Sequence, residues 1–204
     1  MKLSYCTRGW HDRGWADLAE MARDYDFSGL ELYDATQPFF TGATGPFHSS
    51  ALAATVRELN ALELAIPCID ALCDLADPVT IEKNVRELEQ CIRLAADLGT
   101  PYIRVRATQS GKASDESADE AVIACLKEAV PLAEHSGVTL LLESCGIYAD
   151  TARLRDILNT FASDGLAALW DFQHPYRLFG ESAETTIQNL GAYVKHVHVK
   201  DSTE

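Results

Sequence analysis

Apolar residues in this chain follow two rhythms that alternate from one end to the other. Short, largely apolar runs such as Val138 to Leu142, Leu166 to Trp170 and Tyr193 to Val199 are too short for helices and predict buried strands. Between such runs apolar residues recur every three or four positions, as in Leu18, Met21, Ala22 and Tyr25, which predicts amphipathic helices. The pattern predicts strands over Lys2 to Cys6, Leu30 to Tyr33, Leu64 to Ile69, Tyr102 to Val105, Val138 to Glu143, Leu166 to Asp171 and Tyr193 to Val199. It predicts helices from Trp15 to Tyr25, from a cap at Ser49 or Ser50 through Leu62, and from Asp77 to about Leu98. Three more follow, over Asp119 to His135, Thr151 to Phe161 and Glu184 to Leu190. Pro78 suits the start of a helix, whose first positions need no donor, and Gly99 and Gly137 suit the ends. Asp34 to Ser49 reads as a long loop over the strand ends, a lid or binding loop, and Ser110 to Ser117 as a polar loop. Strand and helix alternating this regularly mean right-handed crossovers and a parallel sheet. With no internal repeat or break, one domain is expected.

Composition narrows the class. At 204 residues and 47% hydrophobic the chain is large enough for one substantial core. Its 17 basic and 31 acidic residues give a net charge of −14, which repels phosphate backbones, and no basic stripe reverses that locally. Nucleic acid is therefore excluded as a partner. The six cysteines include no CxxC pair and read as reduced, mostly buried thiols. Arg8, His11, Asp12 and Arg13 precede any apolar stretch of leader length, and no run approaches a membrane span. A cytoplasmic protein is the expectation.

The candidate chemistry lies where apolar runs end in polar residues: Glu143, then Asp171 with His174, then His196, His198 and Lys200. In parallel α/β folds the active site sits at the carboxyl ends of the strands. Acids from two strand tips and an imidazole from a third are a mixed oxygen and nitrogen set for one divalent cation. An unpaired carboxylate after three leucines in a row is costly, so Glu143 is either a ligand or a strand-end acid bonded to loop amides. Strand alternation puts His196, His198 and Lys200 on one face. His198, nearer the strand end, is the better ligand, and His196 reads as a deeper, hydrogen-bonded interior histidine. Lys200 either holds a substrate oxygen or pairs with Asp201 or Glu143. Arg104 and Arg106 also share a face, with Glu31 or Glu143 as partners for a buried guanidinium; Arg106, the outer of the two, is a candidate substrate contact. Glu31, Asp70 and His11 read as supporting groups at strand ends. Trp10, Phe39, Phe40 and Phe47 either wall an apolar side of the pocket or pack under the long loop.

With Leu140-Leu141-Leu142-Glu143, Trp170-Asp171-Phe172-Gln173-His174 and His196-Val197-His198-Val199-Lys200-Asp201 in strand order, the chain resembles the xylose-isomerase-like TIM-barrel superfamily. That superfamily holds sugar isomerases and epimerases, inosose dehydratases and endonuclease IV. The resemblance implies an α/β fold of the (β/α)8 type, with about seven β/α units present and strand eight missing. It implies Glu143, Asp171 and His198 as ligands of one divalent metal ion (Mn, Co, Mg or Zn), the family's fourth ligand being a strand-eight Glu. Open edges expose unpaired backbone, so a longer parent chain, a partner chain completing the barrel, or a homo-oligomer is expected. The implied function is isomerisation, epimerisation or dehydration of a sugar or polyol through a metal-stabilised enediolate. Glu143 would serve as both ligand and base, with His174 hydrogen-bonding the oxygen where charge develops. Trp10, Arg106 and Lys200 join His174 as candidate substrate contacts. The alternative is a non-catalytic subunit that binds a partner through its open edges. An endonuclease IV-like phosphodiesterase is disfavoured, because Glu31-Leu32-Tyr33 and Asp70-Ala71-Leu72 carry no histidine and the charge opposes DNA. Without a glycine-rich phosphate loop, non-phosphorylated substrates are expected.

Overall fold

The computed structural model describes residues 1–10, 12–108 and 116–200. Seven strands lie side by side in chain order, every pairing parallel. They are β1 (Ser4–Cys6), β2 (Gly29–Tyr33), β3 (Cys68–Asp74), β4 (Tyr102–Arg106), β5 (Thr139–Glu143), β6 (Leu166–Asp171) and β7 (Val194–His198). The helices are α1 (Trp15–Asp24), α2 (Pro38–Thr41), α3 (Leu52–Ala61), α4 (Ile81–Leu98), α5 (Glu116–His135), α6 (Thr151–Phe161), α7 (His174–Phe179) and α8 (Ala183–Leu190). Hydrogen bonds from His196 and His198 on β7 reach Glu31 on β2, so the sheet curls until its late strands face its early ones. It is the wall of a barrel, seven strands long.

The core is divided by the alternation of side chains across each strand. On the outer face Leu140, Leu142 and Ala168 join a large cluster with helix residues such as Leu88, Ile92, Leu126 and Leu154. On the inner face Leu141, Ala167 and Leu169 form a small separate cluster with Tyr102 against it. Two residues further along the same inner faces come Glu143 after Leu141, Asp171 after Leu169, and Arg104 after Tyr102, with Arg106 two beyond that. The period of two therefore places an apolar floor beneath a charged layer. Helix α4 shows the matching helical rhythm, burying Leu88, Cys91, Ile92 and Ala95, and it stops at Gly99 with φ +69°. Asp150 caps α6 by accepting the Arg153 N–H at 3.2 Å. On β7 the inner histidines are half-buried while Val197 and the following Val199 are exposed.

Several boundaries differ from the sequence reading. The third strand is not Leu64 to Ile69 but runs on to Asp74, with a register irregularity between Asp70 and Asp74, so Asp70 lies inside it rather than at its tip. Of the stretch before it, Ala65 makes only an isolated bridge to Gly29, and Pro67 offers no N–H for a ladder. Neither Ser49 nor Ser50 caps α3, whose first flanking residue is Ala51 without a side-chain cap. Helix α4 begins four residues after Asp77, and the long loop contains α2, begun by Pro38. His174 is the first residue of α7, not a loop residue. The loop from Ser110 to Ser117 lies largely outside the described residues, and His11 and Asp201 lie wholly outside them. All six cysteines are free, five of them buried.

Gly29 opens β2 where a Cβ would stand 2.3 Å from the carbonyl oxygen of Ala65, a backbone atom that cannot swing aside. Gly29→Ala is therefore expected to cost about 1–3 kcal/mol by overpacking, read as a lowered urea midpoint at unchanged slope. An unchanged midpoint would mean the β2–β3 connection is looser than described.

Candidate metal and active site

The charged layer sits at the carboxyl ends of β2 to β7. Its centre is Glu143, fully buried at the last position of β5. Oε2 accepts from Arg104 Nε at 2.9 Å and Nη2 at 2.6 Å, and from Cys145 Sγ at 3.0 Å. Oε1 faces the other way, 3.3 Å from His198 Nδ1 and 3.7 Å from Lys200 Nζ. Arg104 also donates through Nη1 to Asp70 Oδ2, so one guanidinium fork ties β3, β4 and β5 together. Of the partners foreseen for a buried arginine, Glu143 is used and Glu31 is not; Asp70 takes its place.

Asp171 is fully buried at the end of β6. Its Oδ1 accepts the backbone N–H groups of Gln173 and His174 at 3.0 and 3.1 Å. It thereby holds the start of α7, where an acid also meets the positive end of the helix. Oδ2 points to the ammonium of Lys200, which so lies against Asp171 and Glu143. His174 Nδ1 is 3.3 Å from Asp171 Oδ1. On β7, His198 Nε2 is 2.9 Å and His196 Nε2 3.0 Å from the same oxygen, Oε2 of Glu31.

Electrostatics follow from these contacts. Burial pushes the Glu143 carboxyl up, but the His198 hydrogen bond and the Arg104 charge outweigh it and hold it well below the usual range. Burial likewise works against Glu31, which His196 and His198 bring down to about 2. Burial lowers His198, and Glu143 and Glu31 overturn that, raising it to about 9. At Asp70 burial prevails over Arg104 and Arg106 and lifts the carboxyl to about 6. Burial lowers His174, with Lys200 adding to it against the pull of Asp171.

The structure brings Glu143, Asp171, His174, His198 and Lys200 into one cluster. One ligand atom each from Glu143, Asp171 and His198 lies within 4.8 Å of the others, as do atoms of Glu143, Cys145 and His174, and of Glu31, His196 and His198. The Lys200 ammonium lying on the two acids shows that a positive charge is accommodated between them. Two carboxylates and an imidazole around that spot fit a divalent cation such as magnesium or zinc.

Arg106 is buried at the end of β4, and its Nε and Nη2 have no hydrogen-bond partner among the described residues. Trp10 stands apart from the cluster. With Arg8, Tyr33, Phe39 and Phe40 it lines a cavity of about 320 Å³ beside the ends of β1 and β2, whereas Phe47 packs between Phe40 and Trp15. Sequence reasoning underrated three residues: Glu31, Asp70 and Arg104. The available signal was an ionisable residue inside an otherwise apolar strand, which can only be buried with a partner. Cys145 carried no such signal.

A family model described as xylose isomerase-like TIM barrel matches residues 19–204. No curated protein sequence matches the chain. Among solved structures, the probable 3-DHS dehydratase AsbF involved in petrobactin synthesis from Bacillus anthracis is 23% identical with a TM-score of 0.74, covering 97% of this chain and 72% of its own. The 3-keto-D-glucoside 4-epimerase YcjR from E. coli is 14% identical with a TM-score of 0.76, covering 98% and 79%. A xylose isomerase-like TIM barrel protein from Mycobacterium smegmatis, in complex with magnesium, is 16% identical with a TM-score of 0.76, covering 98% and 74%. Among the described residues no helix is long and apolar enough to cross a membrane.

Proposed function

Since the chain belongs to the xylose isomerase-like TIM barrel family, we propose that it is a divalent-metal-dependent isomerase, epimerase or dehydratase of a sugar or polyol. The observation that carries this reading is the convergence of Glu143, Asp171 and His198 at the strand ends, with a lysine ammonium against the two acids. Glu143, Asp171 and His198 would hold the cation. Bound there, it supplies Lewis-acid polarisation of a substrate carbonyl and so acidifies the neighbouring C–H.

Glu143 is the base in this reading. Arg104 anchors Oε2 and leaves Oε1 facing the mouth, so the proton leaving the substrate α-carbon goes to Oε1. A carboxylate held at so low a pKa is a weak base, and acidification of the C–H compensates for this. Delivered to the adjacent carbon, while the hydroxyl proton passes between the two oxygens, that proton would complete an isomerisation; in an epimerisation it would stay on Glu143 and a second acid would give its own proton to the opposite face of the same carbon. His174, half-buried at the start of α7, hydrogen-bonds the substrate oxygen where charge develops. Arg106, whose Nε and Nη2 have no hydrogen-bond partner among the described residues, takes a further substrate oxygen. Lys200, drawn off the acids, takes another.

The test is solvent exchange. Ketopentoses and ketohexoses incubated with the protein and Mg²⁺ or Zn²⁺ in D₂O should acquire deuterium at the α-carbon, seen by proton NMR. No exchange with any ketose, and no dehydration product, would remove the enzyme reading.

Metal binding should also depend on pH in a defined sense. His198 holds its proton up to about 9 and must give one up to ligate, so binding at pH 7 expels a proton. The apparent Zn²⁺ affinity is expected to rise roughly tenfold per pH unit from 7 toward 9 and then level off. Calorimetry in buffers of different ionisation heat measures the released proton directly; a flat profile would take His198 out of the ligand set.

A further inference from the structure

We propose that Glu31 is a positioning residue for His198. Through Oε2 it holds the Nε2–H of that ring and so presents Nδ1 to Glu143 and Asp171 as the nitrogen that takes the cation. The inference rests on the metal-dependent reading above and deepens it.

An ionised carboxylate accepts hydrogen bonds and donates none. Glu31 Oε2 has two nitrogens on it, His196 Nε2 at 3.0 Å and His198 Nε2 at 2.9 Å. Both nitrogens must carry hydrogen, and one carboxylate oxygen has lone pairs enough for two donors. A neutral imidazole keeps only one ring proton. The charged His198 ring donates from both nitrogens, to Glu31 at 2.9 Å and to Glu143 Oε1 at 3.3 Å; the neutral ring keeps its one proton at the shorter contact, on Nε2, and Nδ1 beside Glu143 carries the lone pair. The strand register agrees: His198 pairs in the ladder with Asp171 on the neighbouring strand, and Glu143 on β5 meets Nδ1 while Glu31 on β2 meets Nε2.

Burial makes the device rigid. Glu31 is 2% exposed, in a strand whose neighbours Leu30 and Leu32 are fixed in the outer core. A metal-bound histidine whose other nitrogen donates to a carboxylate is held in one tautomer and one orientation, and its basicity is raised. The competing reading takes Glu31, His196 and His198 as a second cation site, since their ligand atoms also lie within 4.8 Å of one another. That reading needs Nε2 of His198 stripped of its proton, and the two readings therefore differ in an observable.

The test is ¹⁵N NMR of histidine-labelled protein, with the His198 signals assigned through a His198→Asn variant. Spectra are recorded with Zn²⁺ at pH 7 and without metal at pH 10. Wild type should show His198 protonated at Nε2 and bare at Nδ1 in the metal-free sample, and Nδ1 shifted by Zn²⁺. Glu31→Ala should lose the tautomer preference and bind Zn²⁺ about 10–100-fold more weakly. Glu31→Gln, whose amide oxygen still accepts from Nε2, should restore most of both, and it keeps the proposal testable if the alanine variant fails to fold. A bare Nε2 in wild type overturns the proposal. So does a stoichiometry of two Zn²⁺ that falls to one in Glu31→Ala. If wild type takes up no Zn²⁺, the metal-dependent function fails, while the metal-free spectrum still decides the tautomer.

Discussion

Glu143→Gln is expected to lower α-carbon exchange by roughly 10²–10⁴-fold, the usual worth of a general base. The substitution keeps the shape of the side chain and leaves an amide oxygen for the Arg104 donors at 2.9 and 2.6 Å. What it removes is the negative charge at the atom facing His198 and Lys200, and with it both the proton acceptor and one metal ligand. Zn²⁺ affinity, measured by calorimetry on the same variant, should fall in parallel. Exchange measured at saturating metal separates the two losses, because restoring the cation does not restore the base. Retention of exchange within a few-fold of wild type would move the base elsewhere, with His174 the next candidate. Asp171→Asn is the informative companion, since it should weaken metal binding and leave the base in place.

Arg104→Met is expected to destabilise the protein by about 3–5 kcal/mol, the cost of leaving buried charge without its partner. Arg104 is 4% exposed and bonds two acids that are fully buried, Asp70 and Glu143. Removing it raises the folded-state pKa of both carboxyls. A raised folded pKa contributes stability that is present below the unfolded value and lost as pH rises through the folded one. The deficit of the variant is therefore largest at neutral pH and shrinks as pH falls toward 4, which urea unfolding at the two pH values measures. Equal deficits at both would mean that lost packing, not lost charge, dominates. Arg104→Met with Asp70→Asn should recover part of the loss by removing one of the stranded charges.

The elements were legible where local pattern and tertiary burial agree. Parallel strands covered on both faces read as apolar runs, which is why β5 and β6 lie close to the predicted ranges. The ends of those strands were legible for the same reason, because a polar residue after an apolar run has to face the mouth of the barrel. Boundaries were lost where one signal served two structures. Leu64 to Ile69 is as apolar as a strand, yet Pro67 denies it a ladder donor, and the pairing begins at Cys68. Helix α7 was hidden because Asp171 does its capping from outside it, through Oδ1, rather than a residue at the usual cap position. The site's inner partners were less legible, since pairing across a barrel is a long-range fact. Glu143 was among the partners foreseen for Arg104, but nothing near that arginine in sequence indicates that the same fork reaches Asp70, or that Lys200 turns to Asp171.

The hydrogen bonds from β7 to Glu31 join residues 165 and 167 positions apart. During synthesis the second strand emerges with a lone acid destined for the interior, and the bases that neutralise it are made some 165 residues later. Loop closure over such a separation is entropically late and slow. The first half of the chain thus waits for β7 before its own interior is electrically balanced. Nascent chains halted before His196 should hold Glu31 in contact with water and remain open to proteolysis at β2.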